Sequence, residues 1–170
     1  MLLGVVSDSH DNLESVRAAR RELERRGVGA LIHLGDFTSP FTFRELFRGW
    51  SGKAFAVAGN NDGDQLLLSK QADALGVVFT NHPQVLELEG RRLLLLHGMG
   101  RPELTLEVVR AIASGGTFDG VLFGHTHSPL VEKSSRSLLL NPGELAGCLT
   151  GKKTVALLDL ESMTAEIIEV

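Results

Sequence analysis

Short apolar runs, each stopped by a polar turn residue, organise this chain. The runs are LLGVVS at 2–7, ALIHL at 30–34, AFAVA at 54–58, RLLLL at 92–96, GVLF at 120–123 and SLLL at 137–140. Runs of this length bounded by Gly, Pro, Asn or Asp read as buried strands. Helical patterns fill the intervals. Over residues 12–26, Leu13, Val16, Ala19 and Leu23 share one face. Asp11 with Glu14 resembles a capping box there, and Gly27 is a plausible stop. Further helices are predicted over 41–48, 64–74 and 103–113. The second half is richer in strands, at 84–89, 92–96, 120–124, 130–133, 137–140, 153–159 and 164–169, with hairpin turns at Glu89-Gly90-Arg91 and Leu160-Glu161-Ser162. Alternating β and α followed by hairpins predicts an α/β fold, two packed sheets with helices outside, in a single domain spanning 1–170.

The residues that end the runs carry chemistry. In order they are Asp8-Ser9-His10, Gly35-Asp36, Gly59-Asn60-Asn61-Asp62, His97-Gly98 and Gly124-His125-Thr126-His127; the sixth run ends in Asn141-Pro142-Gly143. Ligands of open α/β sheets collect beyond the carboxyl ends of the strands, so these segments can converge on one edge. In an extended chain residues i and i+2 point the same way, so Asp8 and His10 are expected to grip one ion. The His125-Thr126-His127 turn repeats that spacing with two imidazoles. Seven candidate ligands emerge: Asp8, His10, Asp36, Asn60, His97, His125 and His127. Carboxylate, imidazole and amide oxygen without thiolate suit Mn, Fe, Co, Ni or Zn. Seven exceed the needs of one ion. Two ions about 3.5–4 Å apart sharing a carboxylate would use them well, acidifying a water and clamping a phosphoryl group for in-line attack. That chemistry is metal-assisted phosphoester hydrolysis.

Composition narrows the partners. The net charge of −4 argues against a bulk electrostatic grip on nucleic acid or anionic membrane. No apolar stretch approaches the ~20 residues of a membrane span. The single cysteine, Cys148, excludes an intrachain disulfide and suits a reducing compartment; with no basic leader before the first strand, a cytoplasmic setting is expected.

The ordered set Asp-x-His, Gly-Asp, Gly-Asn-x-Asp, His and Gly-His-x-His resembles the calcineurin-like metallophosphoesterase superfamily. Gly124-His125-Thr126-His127-Ser128-Pro129 and Asn141-Pro142-Gly143 are similar to its compact YfcE-type phosphodiesterase branch, to which the metallophosphoesterase-fold subunit of retromer also belongs. The resemblance implies a four-layer αββα sandwich of two mixed β-sheets flanked by helices. It implies two divalent ions, manganese first among the candidates. Asp8, His10, Asp36 and His127 would hold one ion and Asp36, Asn60, His97 and His125 the other, with Asp36 bridging and a bridging hydroxide attacking a small phosphodiester. A non-catalytic scaffold that binds protein partners, and a phosphomonoesterase, are the competing readings.

Two departures stand out. The wider superfamily usually places His where this chain has Asn61; an amide binds a phosphate oxygen but is no general acid near neutral pH. Asn61 and Asn60 are therefore candidate substrate contacts, and Asp36, Asn61 and Asp62 the candidate catalytic set, with Asp62 orienting a ligand or its loop. Glu144 stands where the branch commonly has Ser, with no role evident from sequence.

Other residues read as structural. Four of the six histidines occupy motif positions, which argues against chance; His33 lies inside an apolar strand as a core residue, and His82 precedes Pro83 in a solvated loop. Arg17, Arg20, Arg21, Arg25 and Arg26 interleave with Glu14, Glu22 and Glu24 as a solvated face. Phe37, Phe41, Phe43, Phe47 and Trp50 read as core, with a cleft wall or a homodimer contact as the alternative. Cys148 reads as a packed residue rather than a nucleophile.

Overall fold

The computed structural model describes residues 1–170. In chain order the elements are β1 (Leu2–Val6), α1 (Leu13–Arg25), β2 (Ala30–His33), α2 (Pro40–Phe47), β3 (Lys53–Val57), α3 (Gln65–Leu75), β4 (Val78–Thr80), β5 (Gln84–Leu88), β6 (Arg91–Leu96), α4 (Pro102–Ser114), β7 (Gly120–Phe123), β8 (Leu130–Lys133), β9 (Leu138–Asn141), β10 (Thr154–Asp159) and β11 (Thr164–Glu169). They form a six-stranded sheet ordered β11-β10-β1-β2-β3-β4 and a five-stranded sheet ordered β5-β6-β7-β9-β8. Both sheets are mixed. β1, β2, β3 and β4 run parallel, as do β6, β7 and β9, with antiparallel strands outside them.

The apolar runs are continuous because both faces of these strands are covered. Leu93 and Leu95 of β6 face the other sheet, where they meet Leu3, Val5, Ile32 and Val57 in the central core. Leu94 and Leu96 turn the opposite way, onto Val109 and Ala113 of α4. On the other side Val6, Leu31 and Ala56 pack under Val16, Leu23, Phe43, Leu46 and Leu68 of the first three helices. The layers are thus helices, sheet, sheet, helix: the expected αββα sandwich, with three helices on one face and one on the other.

Local details depart from the sequence reading in three places. Asn12, not Asp11, caps α1, its side chain accepting from the Ser15 N–H at 3.1 Å. Asp11 instead accepts from Ser39 Oγ and Thr42 Oγ1, each at 2.5 Å, and so ties the loop after β1 to the start of α2. β4, three residues long at a sheet edge, carries too little pattern to be predicted. The aromatic segment is core: Phe37, Phe43 and Phe47 are buried, with centroids 5.0 and 4.8 Å apart along the series. Phe41 is the exception, at 67% exposed. Arg17 pairs with Glu45, Arg20 with Glu24, and Arg25 and Arg26 with Glu22 along the outer face of α1.

Candidate metal centre

Topology brings the motifs together. The loops after β1, β2 and β3 carry Asp8 and His10, Asp36, and Asn60 to Asp62; the loops after β6, β7 and β9 carry His97, His125 and His127, and Glu144. Each triplet is a parallel set, so each delivers its loops to one edge. Backbone bonds stitch the two edges: His125 N–H donates to Asp8 Oδ2 at 3.0 Å, and Leu145 and Ala146 N–H donate to the Ser7 and Asp8 carbonyls at 2.9 and 3.0 Å. The approach is close enough to require glycine. A Cβ on Gly59 would collide with Asp36 Oδ1, and one on Gly124 with Ser7 Oγ.

The loops are not extended. Nine non-glycine residues have positive φ, and seven of them (Asp8, His10, Asp11, Asp36, Thr38, His125 and His127) lie in these loops. Backbone strain of this kind clusters at functional sites. The expectation that Asp8 and His10 converge because an extended chain points i and i+2 alike is therefore corrected. They converge because the chain coils left-handed at both, and His125 and His127 diverge to opposite ends of the cluster for the same reason.

At one end stand Asp8, His10, Asp36 and His127, whose nearest ligand atoms all lie within 4.8 Å of one another. His10 Nε2 is 3.4 Å from His127 Nε2, 3.9 Å from Asp8 Oδ1 and 3.6 Å from Asp36 Oδ2; His127 Nε2 is 3.4 Å from Asp8 Oδ1. Outside partners occupy the other ring nitrogens: Thr38 Oγ1 lies 3.3 Å from His10 Nδ1, and Glu144 Oε2 lies 2.8 Å from His127 Nδ1. At the other end His97 Nε2 and His125 Nδ1 approach Asn60 Oδ1 at 3.0 and 2.9 Å, and His97 Nε2 is 3.4 Å from Asp36 Oδ2. His97 Nδ1 donates to the Leu34 carbonyl and His125 Nε2 to the Gly100 carbonyl, both at 2.7 Å. Each such bond selects the tautomer whose free lone pair faces the cluster.

The electrostatics fit a divalent cation. Asp8 Oδ1 is buried without any hydrogen-bond partner. Burial pushes the Asp8 carboxyl above its usual range despite His97, Ser7 and His127, so its charged form needs more positive charge than the chain supplies. Burial works the same way on Asp36, but His97 and Asn61 outweigh it and hold that carboxyl well below the usual range. Burial pulls His97 down, yet Asp36 and Asp8 together push its imidazole up, so a proton and a metal compete for the same Nε2.

Other candidates sort by contact. Asp62 is buried and reaches no open space: Oδ2 accepts from the N–H of Asp36 and Gly59 at 2.9 and 2.7 Å, and Oδ1 from Thr38 N–H at 2.8 Å. It clamps two ligand loops together. Asn61 is exposed, and its N–H and Nδ2 donate to Asp36 at 2.8 and 2.7 Å. His33 is a satisfied core residue. Its Nδ1 accepts from Gly35 N–H at 3.1 Å, which leaves Nε2 to donate to Ser9 Oγ at 2.9 Å, and its ring stacks on Phe37. His82 is exposed and turns to Pro83, away from the ligands. Cys148 is exposed rather than packed, its Sγ 3.2 Å from Glu144 Oε2. Glu144, the residue without a role from sequence, lies fully buried against His127. Burial opposes its charge, but bonds from Thr150, His127 and Cys148 win and hold its carboxyl at about 2.

Fold and site together define a protein with a carboxylate–imidazole cluster at the shared edge of two sheets, built to hold divalent metal. The chain belongs to the calcineurin-like phosphoesterase superfamily, whose domain matches residues 1–163. Membership implies divalent metal ions, and the cluster above is where such ions fit. The chain is 32% identical over 163 residues to phosphodiesterase MJ0936 of Methanocaldococcus jannaschii, covering 95% of this chain and 94% of that one. A solved structure of an archaeal phosphodiesterase is 30% identical, with a TM-score of 0.90 over 100% of both chains. YfcE, a phosphoesterase from E. coli, shares the fold at 22% identity, with a TM-score of 0.68 over 99% of this chain and 98% of its own. No helix is long and apolar enough to cross a membrane.

Proposed function

We propose that this chain hydrolyses small phosphodiesters with two divalent metal ions. Asp8, His10, Asp36 and His127 would hold one ion; Asp36, Asn60, His97 and His125 would hold the other, with Asp36 shared. The observation that carries the reading is the buried, partnerless Asp8 Oδ1, faced by the Nε2 atoms of His10 and His127. Ions bound there supply Lewis acidity, which acidifies water and neutralises phosphoryl charge.

The chain's own residues set the rest. Glu144 and the Leu34 and Gly100 carbonyls, all acceptor-only, fix His127, His97 and His125 so that their lone pairs face the cluster; Thr38 holds the His10 ring, and Asp62 holds the Asp36 and Asn60 loops at a fixed spacing. Asn61 anchors Asp36 and presents its amide at the exposed edge, where it and Asn60 are the candidate contacts for a phosphoryl oxygen. An amide gives no proton to a leaving oxygen near neutral pH. This favours diesters and activated esters over unactivated monoesters. The donor set without thiolate supports manganese first, with Fe, Co, Ni and Zn as alternatives. The lone unpaired cysteine supports a cytoplasmic setting, the net charge of −4 speaks against bulk nucleic-acid binding, and exposed Phe41 would centre the contact of a homodimer.

The test is hydrolysis of bis(p-nitrophenyl) phosphate by metal-stripped protein, with Mn²⁺ restored and Asp36→Ala as the control. Turnover that returns with Mn²⁺, and falls on the order of a thousandfold or more in the variant, is expected because both ions lose a shared ligand. Activity surviving in a metal-loaded Asp36→Ala protein would sink the proposal. Metal binding without turnover in the wild type would favour the scaffold reading.

A further inference from the structure

Glu144 opens the loop after β9, and the following residues wrap round it. Its Oε1 accepts from the N–H groups of Leu149 and Thr150 at 2.9 and 2.5 Å and from Thr150 Oγ1 at 2.8 Å. Its Oε2 faces His127 Nδ1 at 2.8 Å and accepts from Cys148 N–H and Sγ at 3.1 and 3.2 Å. A carboxylate offers about four lone-pair positions, and here all are engaged. Glu144 therefore has no lone pair to give a cation, although His127, Glu144 and Cys148 lie close enough together to resemble a ligand trio.

What the carboxylate does is act on His127. An acceptor-only group at Nδ1 fixes the proton there and frees Nε2, which sits 3.4 Å from the partnerless Asp8 Oδ1. Of the four imidazoles in the cluster, His127 alone is backed by a carboxylate. His10 has a hydroxyl, and His97 and His125 have backbone carbonyls. A carboxylate behind an imidazole makes it a stronger donor to metal. Counting Asp8, shared Asp36 and Glu144 behind His127, three carboxylates serve the Asp8 end, whereas the Asn60 end has only shared Asp36.

Building on the proposed metal centre, we infer that Glu144 is a positioning residue that makes the Asp8 end the tighter of two metal positions, so that the protein loads stepwise with that end first. Diamagnetic Zn²⁺ is the probe. In calorimetric titration of metal-stripped protein, two separated phases are expected, and Glu144→Gln should weaken the tight phase by about 10–100-fold while leaving the loose phase in place. Thr150→Val, which loosens the same loop but spares the His127 contact, should move neither phase. A wild-type measurement needs no variant to fold. As Zn²⁺ is added, imidazole ¹⁵N signals of His10 and His127 should shift in the first equivalent, and those of His97 and His125 only in the second. Before any metal, His127 should be the Nδ1–H tautomer, becoming a mixture in Glu144→Gln. The inference is overturned if His97 and His125 respond first, if all four respond together, or if Glu144→Gln weakens both phases equally. Wild-type protein that binds no Zn²⁺ at all overturns the metal-centre reading itself, with the tautomer still readable as a separate result.

Discussion

The two ends of the cluster share one carboxylate and differ in almost everything else. The Asp8 end is anionic: Asp8 is buried with one oxygen partnerless, and Glu144 stands behind His127. The Asn60 end is neutral apart from Asp36: its own ligands would be an amide and two imidazoles, each backed by a peptide carbonyl. The Asn60 end is also the more open one at its amides, since Asn60 and Asn61 are exposed while Asp8 is buried. On the proposed two-metal reading, a tight, closed position beside a looser, open one would divide labour: the first would retain its ion, and the second would supply Lewis acidity where substrate arrives.

The largest effect expected at the open end comes from a missing proton donor. Position 61 hangs from Asp36 on that side and carries an amide. Asn61→His would place an ionisable group there, and general-acid assistance is worth about 10²–10⁴-fold when fully realised. Turnover of a diester with a poor leaving group should rise by about tenfold or more, and that of bis(p-nitrophenyl) phosphate far less. Steady-state rates on a paired series of leaving groups check this. An equal change across the series would mean that the open end lacks metal strength rather than a proton.

A smaller effect should follow from making the ends alike. Asn60→Asp gives the open end a carboxylate of its own, in contact range of His97 and His125. The looser phase of metal binding should tighten by about tenfold, narrowing the gap to the tight phase. Two phases whose separation is unchanged would show that charge is not what distinguishes the ends.

The same contrast runs through what could be read from sequence. All seven candidate ligands fall on the cluster, because each ends an apolar run and strand topology does the rest. Their support was less legible. Glu144 meets His127 across 17 positions, and Asp62 meets Asp36 and Thr38 across 26 and 24, through bonds that leave no local pattern. The left-handed turns at Asp8, His10, His125 and His127 were hidden too, since none is glycine and tertiary contact alone imposes them. Asp11 shows the opposite error: its spacing to Glu14 looks like a cap, yet Asn12 caps the helix and Asp11 is used on Ser39 and Thr42.

His33 ties the loop between Asp8 and His10 to the turn before Asp36, and gives the smallest expected effect. Its ring is fully buried, accepts from Gly35 N–H just before Asp36, and donates to Ser9 Oγ between Asp8 and His10. Burial, reinforced by His97, holds its affinity for a proton well below the ordinary imidazole value. In metal-free protein the unfolded chain takes up a proton on this residue near pH 6.5 and the folded chain does not. Its contribution is therefore whole above about pH 6.5 and is lost as pH falls below it, at up to ~1.4 kcal/mol per pH unit. His33→Gln retains an acceptor for Gly35 and does not titrate. Urea unfolding of the metal-free proteins from pH 7.5 to about 5 should show a shallower loss of stability in the variant by that one-proton slope. Identical slopes would mean that the folded protein does protonate His33, and that its bonds to Gly35 and Ser9 do not keep it neutral on acidification.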